Sequence, residues 1–396
     1  VNGERLLQSL QDLGQIGRQP NGGIQRLAFS PEDIAGRQLV QTWMQAAGMG
    51  VRIDAAGNLI GRYPGQNPQA PVLATGSHLD TVPNGGIYDG AYGVLAGLEV
   101  VRVLQEKQIQ LHHALEVIVF TDEEGTMVGS KAMVGGVSLP NDDNEIPLAL
   151  LGGSWQQIAQ AKRSATDIAA FVELHVEQGP VLEAIGAEIG VVTGIVGQRR
   201  FTITVQGQAS HAGTTPMSMR QDALVAAAQI VLAVNQLAHL PGEQVATVGQ
   251  LQVLPNAVNV IPGRVELSLD IRDLSNSHLD HLLSQLDQQM QRIAHQTQTT
   301  IRRQEKMRNQ PAPAAPEIQT AITAACRDLG LSHHPLPSRA GHDAQAIAKI
   351  APMGMIFVPS QAGISHAETE YTAAQQCIQG ANVLLQTLVR LDQSNV

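Results

Sequence analysis

Hydrophobic positions along this 396-residue chain follow two different rhythms. Short, mainly apolar runs recur at 72–76, 115–120, 169–174 and 355–358, the pattern of strands covered on both faces in a parallel sheet. Between the first two runs, Val94, Leu95, Leu98, Val101 and Leu104 repeat near the helical period over 91–108, just behind the start signal Asp89-Gly90, which predicts a crossover helix. The middle of the chain alternates instead: Phe201, Ile203 and Val205 are separated by Thr202 and Thr204, and Val265, Leu267, Leu269 and Ile271 by Glu266, Ser268, Asp270 and Arg272. Such alternation predicts half-exposed antiparallel strands. With helices over 222–238 and 279–295 and strands over 245–253 and 299–305, the order is βαββαβ, that of a ferredoxin-like unit. The Pro-rich stretch QPAPAAP at 310–316 reads as a stiff return linker. The expected fold class is therefore α/β, a mostly parallel sheet with helices on both faces formed by 1–197 and 311–396, with 198–310 inserted as the ferredoxin-like domain.

Composition narrows the partners. Hydrophobic residues make up 43% and aromatics only 3%, so the core is expected to consist of aliphatic side chains, with few rings on which bases or sugars would stack. A formal charge of −10 argues against non-specific nucleic-acid binding and against anionic membranes, leaving a small molecule as the expected partner. Cys326 and Cys377 stand far apart, outside any metal or redox pattern, which fits a reducing compartment. The amino-terminal segment has helical leucine spacing rather than a signal-peptide core, and there is no apolar run of about 18 residues to span a bilayer. A soluble, cytoplasmic protein is expected.

The candidate chemistry lies just beyond the predicted strands. His78 and Asp80 follow the first, Glu123 and Glu124 the second, His175 ends the third in FVELHVEQG, and His366 follows the fourth in GISHAETEY. Carboxyl ends of parallel strands are where open α/β sheets bind ligands. A lone histidine in a loop is usually solvated, and HxD is a weak pattern; the concurrence of four strand ends carries the argument. Adjacent glutamates repel unless a cation or proton lies between them. With a metal present, one of them ligates and the other takes a proton from water. Asp89 reads equally as a helix N-cap or as a carboxylate bridging two ions about 3.5 to 4 Å apart.

These segments, GSHLDTV, the YDG turn, TDEEG, FVELHVEQG, GQRR, HAGTTPM, NAVNVIPG, RAGHDAQ and GISH, resemble in sequence and order the metal-dependent M20 amidohydrolases, specifically the branch of N-carbamoyl-L-amino acid hydrolases and allantoate amidohydrolases. The resemblance covers nearly the whole chain. It implies two divalent ions, zinc or manganese with cobalt or nickel as alternatives, one held by His78, Asp89 and His175 and the other by Asp89, Glu124 and His366, with Asp89 bridging. It implies Glu123 as general base, Asp80 as the group orienting His78, and His211 as stabiliser of the oxyanion. Gln198, Asn259 and Arg272 correspond to substrate-binding positions, Arg272 gripping a carboxylate, and His342 to a contact on the carbamoyl side. On its own residues Arg272 reads as a solvated arginine on the polar face of a strand, and His211 as a polar loop histidine. The relatives are homodimers joined through the inserted domain, which acts as a lid. Two departures stand out: Ala362 precedes GISH where the pattern has Asn, with no proline soon after His366, and the segment GTMVGSKAMVGG after Glu124 is shorter. The implied reaction is hydrolysis of an N-carbamoyl-L-amino acid, with allantoate or ureidoglycolate as alternative substrates. An aminoacylase or dipeptidase is disfavoured by His175 and GQRR, and a non-catalytic binding protein by the complete ligand set.

Overall fold

A computed structural model describes residues 1–137 and 146–394. The chain divides into two compact units, Val1–Gly194 with Ala314–Val396, and Ile195–Pro313. The junctions expected from sequence lie at 197/198 and 310/311.

In the first unit four strands, Leu115–Phe120, Val72–His78, Ile168–Val176 and Met353–Val358, lie side by side in that order and run parallel. Every residue in them is buried, which is why they read as mainly apolar runs. Alternate residues serve the two faces. Thr75, Val117, Leu174 and Val358 meet glycines of the helices Ala91–Glu106 and Ala374–Gln393. Phe120, Phe171 and Phe357 point to the other face, where Phe120 packs edge-on against Phe171 and Phe357 lies beside His342, at the start of the short helix Asp343–Ile347.

Flanking this core are strands that the apolar pattern does not show: Gly50–Ile53 and Leu59–Tyr63, antiparallel, on one side, and Ile189–Ile195, antiparallel to Met353–Val358, with His333–Ser338 paired to it, on the other. Gly50–Ile53 is largely exposed, and HHPLPS carries two prolines, as edge strands tolerate and central ones do not. The expected N-cap at Asp89 is not formed. Gly90 is the residue ahead of the helix, at φ 63°, and the helix start has no side-chain cap, which leaves the Asp89 carboxylate available for other work.

The second unit has the order βαββαβ. Its antiparallel sheet runs Leu251–Leu254, Arg264–Asp273, Gly197–Gln206, Thr300–Asn309, with helices Ala223–Ala238 and Asn276–Thr297 packed against it. This is the ferredoxin-like strand order. The strand expected over 245–253 is interrupted. Val245–Thr247 and Leu251–Leu254 both pair with Arg264–Asp273, but from Ala246 to Leu251 the chain advances five positions while its partner, Ile271 to Leu267, advances four. The extra residue is accommodated around Gly249, where a strand pattern alone gives no sign of a bulge. Among the described residues no helix is long and apolar enough to cross a membrane.

Candidate metal centre

All four parallel strands deliver their side chains at the same sheet edge. His78 is the last residue of Val72–His78, paired in register with Phe120, from which the chain turns through Asp122 to Glu123 and Glu124. His175 is the penultimate residue of Ile168–Val176, opposite Phe357, and His366 lies in the loop beyond Val358. Asp89 comes in from the turn before the crossover helix. Gly90 is required there, because a Cβ at this position would lie 2.5 Å from the His78 ring. Asp122, Gln178 and His366 hold φ near 57°, 58° and 56°, left-handed backbone that non-glycine residues adopt at a cost.

The two oxygens of Asp89 face different partners. Oδ1 lies 3.1 Å from His175 Nε2 and 3.7 Å from His78 Nε2, whereas Oδ2 lies 3.1 Å from His366 Nε2. Glu124 Oε1 is 3.4 Å from His366 Nε2, and Glu123 Oε2 is 3.6 Å from His78 Nε2. The potential ligand atoms of His78, Asp89 and His175 fall within 4.8 Å of one another, as do those of Asp89, Glu124 and His366. Asp89 belongs to both groups.

Hydrogen bonding sets the imidazoles up as ligands. His78 Nδ1 is 2.8 Å from the Asp80 carbonyl oxygen and His175 Nδ1 is 2.8 Å from that of Val176. A carbonyl only accepts, so each Nδ1 carries hydrogen and each ring turns its Nε2 towards Asp89, the atom that would ligate an ion once deprotonated. The orienting role expected of Asp80 therefore falls to its backbone. The Asp80 carboxylate lies 3.9 Å from His78 Nδ1, and its Oδ2 instead accepts from the Glu124 N–H at 3.1 Å, fixing the glutamate turn. Burial pushes the Glu123 carboxyl well above the usual range; His78 opposes this, while Asp343, Glu124 and Asp80 add to it. Burial raises Glu124 as well. A divalent cation reverses both tendencies, because it supplies the charge that lets clustered carboxylates ionise. Imidazole nitrogen and carboxylate oxygen together suit zinc, manganese, cobalt or nickel, so the residues present fit the ions implied by the sequence.

The sequence pattern of peptidase family M20/M25/M40 matches residues 74–390, which span every residue of this constellation. The chain belongs to this family. It is 43% identical to an N-carbamoyl-L-amino acid amidohydrolase of Geobacillus stearothermophilus, with 99% of each chain covered. It is 39% identical to an allantoate amidohydrolase of Bacillus subtilis, covering 96% of this chain and 95% of the relative. Among solved structures, an amidase of the hydantoinase/carbamoylase family from Burkholderia multivorans superposes with a TM-score of 0.91 at 39% identity, over 99% of this chain and 98% of that one.

This metal-dependent M20 amidohydrolase holds its candidate ligand turns from behind with residues that sequence reasoning missed. Arg26 is fully buried. Its Nε donates to the Leu79 carbonyl at 2.7 Å and its Nη1 to those of Leu13 and Ile16, while its backbone pairs with Thr81, so it clamps the His78–Asp80 turn. Burial pulls this guanidinium down to about 10, with Asp33 and Asp80 opposing, so it stays charged at neutral pH. Arg26→Ala is expected to destabilise the fold by about 3 kcal/mol or more, since buried carbonyls lose charge-assisted donors. Urea unfolding of the metal-stripped protein checks this, and a loss below about 1 kcal/mol would contradict it. Gln178 Nε2 donates to Asp89 Oδ2 at 3.0 Å, and the buried Glu173 accepts from Ser77 Oγ and from the Ala344 N–H. Nothing in FVELHVEQG singles out Glu173 or Gln178 from their neighbours.

His342 lies behind the cluster, its ring centroid 4.6 Å from that of His175 and its Nε2 2.8 Å from Ser338 Oγ. Burial, reinforced by His175 and His78, drives this imidazole well below its usual pKa and keeps it neutral.

In the second unit, Arg272, Arg200 and Gln198 converge on Asp270: Arg272 Nε donates to Oδ1 at 2.9 Å, and Arg200 Nε and Gln198 Nε2 donate to Oδ2 at 2.8 and 2.6 Å. Arg272 is thus held by its neighbour two residues back on the strand, an arrangement that alternation on one strand face makes possible. His211 and Asn259 are brought together by the short ladder of Ser210–His211 with Val260–Ile261 and by the Ala212 N–H donating to the Asn259 carbonyl. His211 is exposed, and its Nδ1 accepts from the N–H groups of Gly213 and Thr214. Its Nε2 therefore carries the hydrogen and is a donor.

Proposed function

We propose that the chain hydrolyses the ureido C–N bond of an N-carbamoyl-L-amino acid, giving the L-amino acid, carbon dioxide and ammonia. The observation that carries this reading is the division of Asp89 between the His78–His175 pair and His366, with Glu123 beside it. Full-length similarity to an N-carbamoyl-L-amino acid amidohydrolase supports the substrate class.

His78, Asp89 and His175 would hold one ion and Asp89, Glu124 and His366 the other. Two such ions, zinc or manganese with cobalt or nickel as alternatives, polarise a carbonyl and acidify water when bound. Glu123 is close enough to the ligands to take the proton of the attacking water and to return it. Water oxygen bonds to the ureido carbon, and the His211 Nε2–H donates to the oxyanion that develops. Proton return by Glu123 to the terminal nitrogen breaks the C–N bond and releases ammonia. The carbamate left on the amino acid loses carbon dioxide and frees the amino group. By the family resemblance His342 would contact the carbamoyl side, Gln198 and Asn259 would bind the substrate's polar atoms, and Arg272 would bind its carboxylate.

Arginine's planar fork suits a carboxylate better than lysine's point charge. Arg272→Lys is accordingly expected to raise KM about tenfold, the value of one charged hydrogen bond, with a smaller change in kcat. Steady-state kinetics measure this, and an unchanged KM would remove Arg272 from substrate binding.

The second unit would serve as lid and dimerisation domain of a cytoplasmic homodimer; light scattering showing a monomer would contradict the dimer. Allantoate is the second reading, favoured by the 39% identity to an allantoate amidohydrolase, with ureidoglycolate as a further ureido alternative. An ammonia-release assay with N-carbamoyl-L-amino acids, allantoate and ureidoglycolate, set beside N-acetyl amino acids and dipeptides, tests the proposal. Fastest turnover of N-carbamoyl-L-amino acids supports it. Preference for N-acetyl amino acids or dipeptides would overturn it.

A further inference from the structure

The carboxylate of Glu370 is not among the residues assigned to the ions, yet it sits at the junction of the two turns that supply them. Its Oε1 accepts from the backbone N–H groups of Tyr88 and Asp89, both at 3.0 Å. Its Oε2 accepts from Ser365 Oγ at 2.8 Å, and the same hydroxyl lies 3.3 Å from Asp89 Oδ2. Ser365 is the residue before His366, and Asp89 is the carboxylate shared by both ligand groups. One buried side chain therefore ties the Asp89 turn to the His366 loop through three hydrogen bonds. The fit is close: a Cβ at Gly86, in the same turn, would lie 2.3 Å from Glu370 Oε1. The loop needs this restraint, because His366 is exposed and holds a left-handed φ of 56° that its own local preferences do not favour.

We infer that Glu370, acting through Ser365, is a positioning residue for the ion shared by Asp89 and His366. It fixes the distance between Asp89 Oδ2 and His366 Nε2 without ligating. Groups that orient ligands in this way are commonly worth about 10- to 100-fold in metal affinity. The inference rests on the ligand assignment above and adds to it that the loop is set by hydrogen bonding rather than by the extra negative charge.

The test is zinc affinity of the full-length, chelator-stripped protein, measured by competition with a fluorescent chelator, alongside thermal unfolding in EDTA. Glu370→Ala is expected to fold, to melt close to the wild type in EDTA, and to bind one of its zinc ions about 10- to 100-fold more weakly. Glu370→Gln retains a carbonyl acceptor for both N–H groups and an amide donor to Ser365 Oγ, whose hydroxyl still reaches Asp89, so it should bind zinc within about threefold of the wild type, far less than the loss expected when an orienting group is removed. Ser365→Ala, which removes only the hydroxyl link, should weaken the same ion. Wild-type zinc affinity in Glu370→Ala overturns the inference, as does a loss in Glu370→Gln equal to that in Glu370→Ala, which would assign the effect to charge. Should Glu370→Ala fail to fold, Ser365→Ala decides, and unchanged affinity there overturns the inference. A wild type that binds no zinc would instead sink the ligand assignment itself, so the two failures are distinguishable.

Discussion

Glu123→Gln is expected to lower kcat about 1,000-fold or more while leaving the bound metal and KM near their wild-type values. General bases contribute about 100- to 10,000-fold, and a carboxamide of the same shape cannot take a proton. Glu123 lies outside the two groups that share Asp89, with its Oε2 facing His78 Nε2 at 3.6 Å, so its loss should not empty them. Steady-state kinetics together with metal analysis of the same preparation measure both halves of this expectation. A variant retaining kcat within tenfold of the wild type would assign the proton transfer to another group.

Asp89→Asn is expected to abolish turnover for a different reason. The side chain keeps its volume but exchanges a carboxylate oxygen for an amide nitrogen that cannot ligate, so one of the two groups must lose its shared donor. Metal content after gel filtration should fall to one ion per subunit or fewer, with activity below detection. The fold should survive, because Asp89 faces imidazoles and the Gln178 amide rather than the apolar core. Circular dichroism and melting in EDTA check that separately. Two ions per subunit retained in the variant would contradict the bridging role.

How much was legible in the sequence depended on what each residue had to satisfy. The four central strands are buried on both faces and so are mainly apolar; Leu115–Phe120 matches its predicted span end for end, and Val72–His78 runs two residues past its predicted end, to His78. Edge strands such as Gly50–Ile53 and His333–Ser338 escaped because exposure and proline remove the periodic signal. The candidate site residues came from their motifs, and the structure brings His78, Asp89, Glu123, Glu124, His175 and His366 to one sheet edge. Their supports were not legible in the sequence. Arg26 and Glu370 act through backbone carbonyls and N–H groups far away in sequence, and nothing in RLAF or SHAETEY distinguishes them from solvated charges such as Glu368. Asp80 is of the same kind: the resemblance implies that it orients His78, and the contact is made by its backbone carbonyl while its carboxylate accepts from the Glu124 N–H.

The measurement closest to the central claim is a metal titration of ammonia release from an N-carbamoyl-L-amino acid, starting from chelator-stripped protein. Activity absent before addition and saturating at two manganese or zinc ions per subunit is the predicted result. Full activity in the stripped protein, or no ammonia from any ureido substrate at saturating metal, would contradict the account.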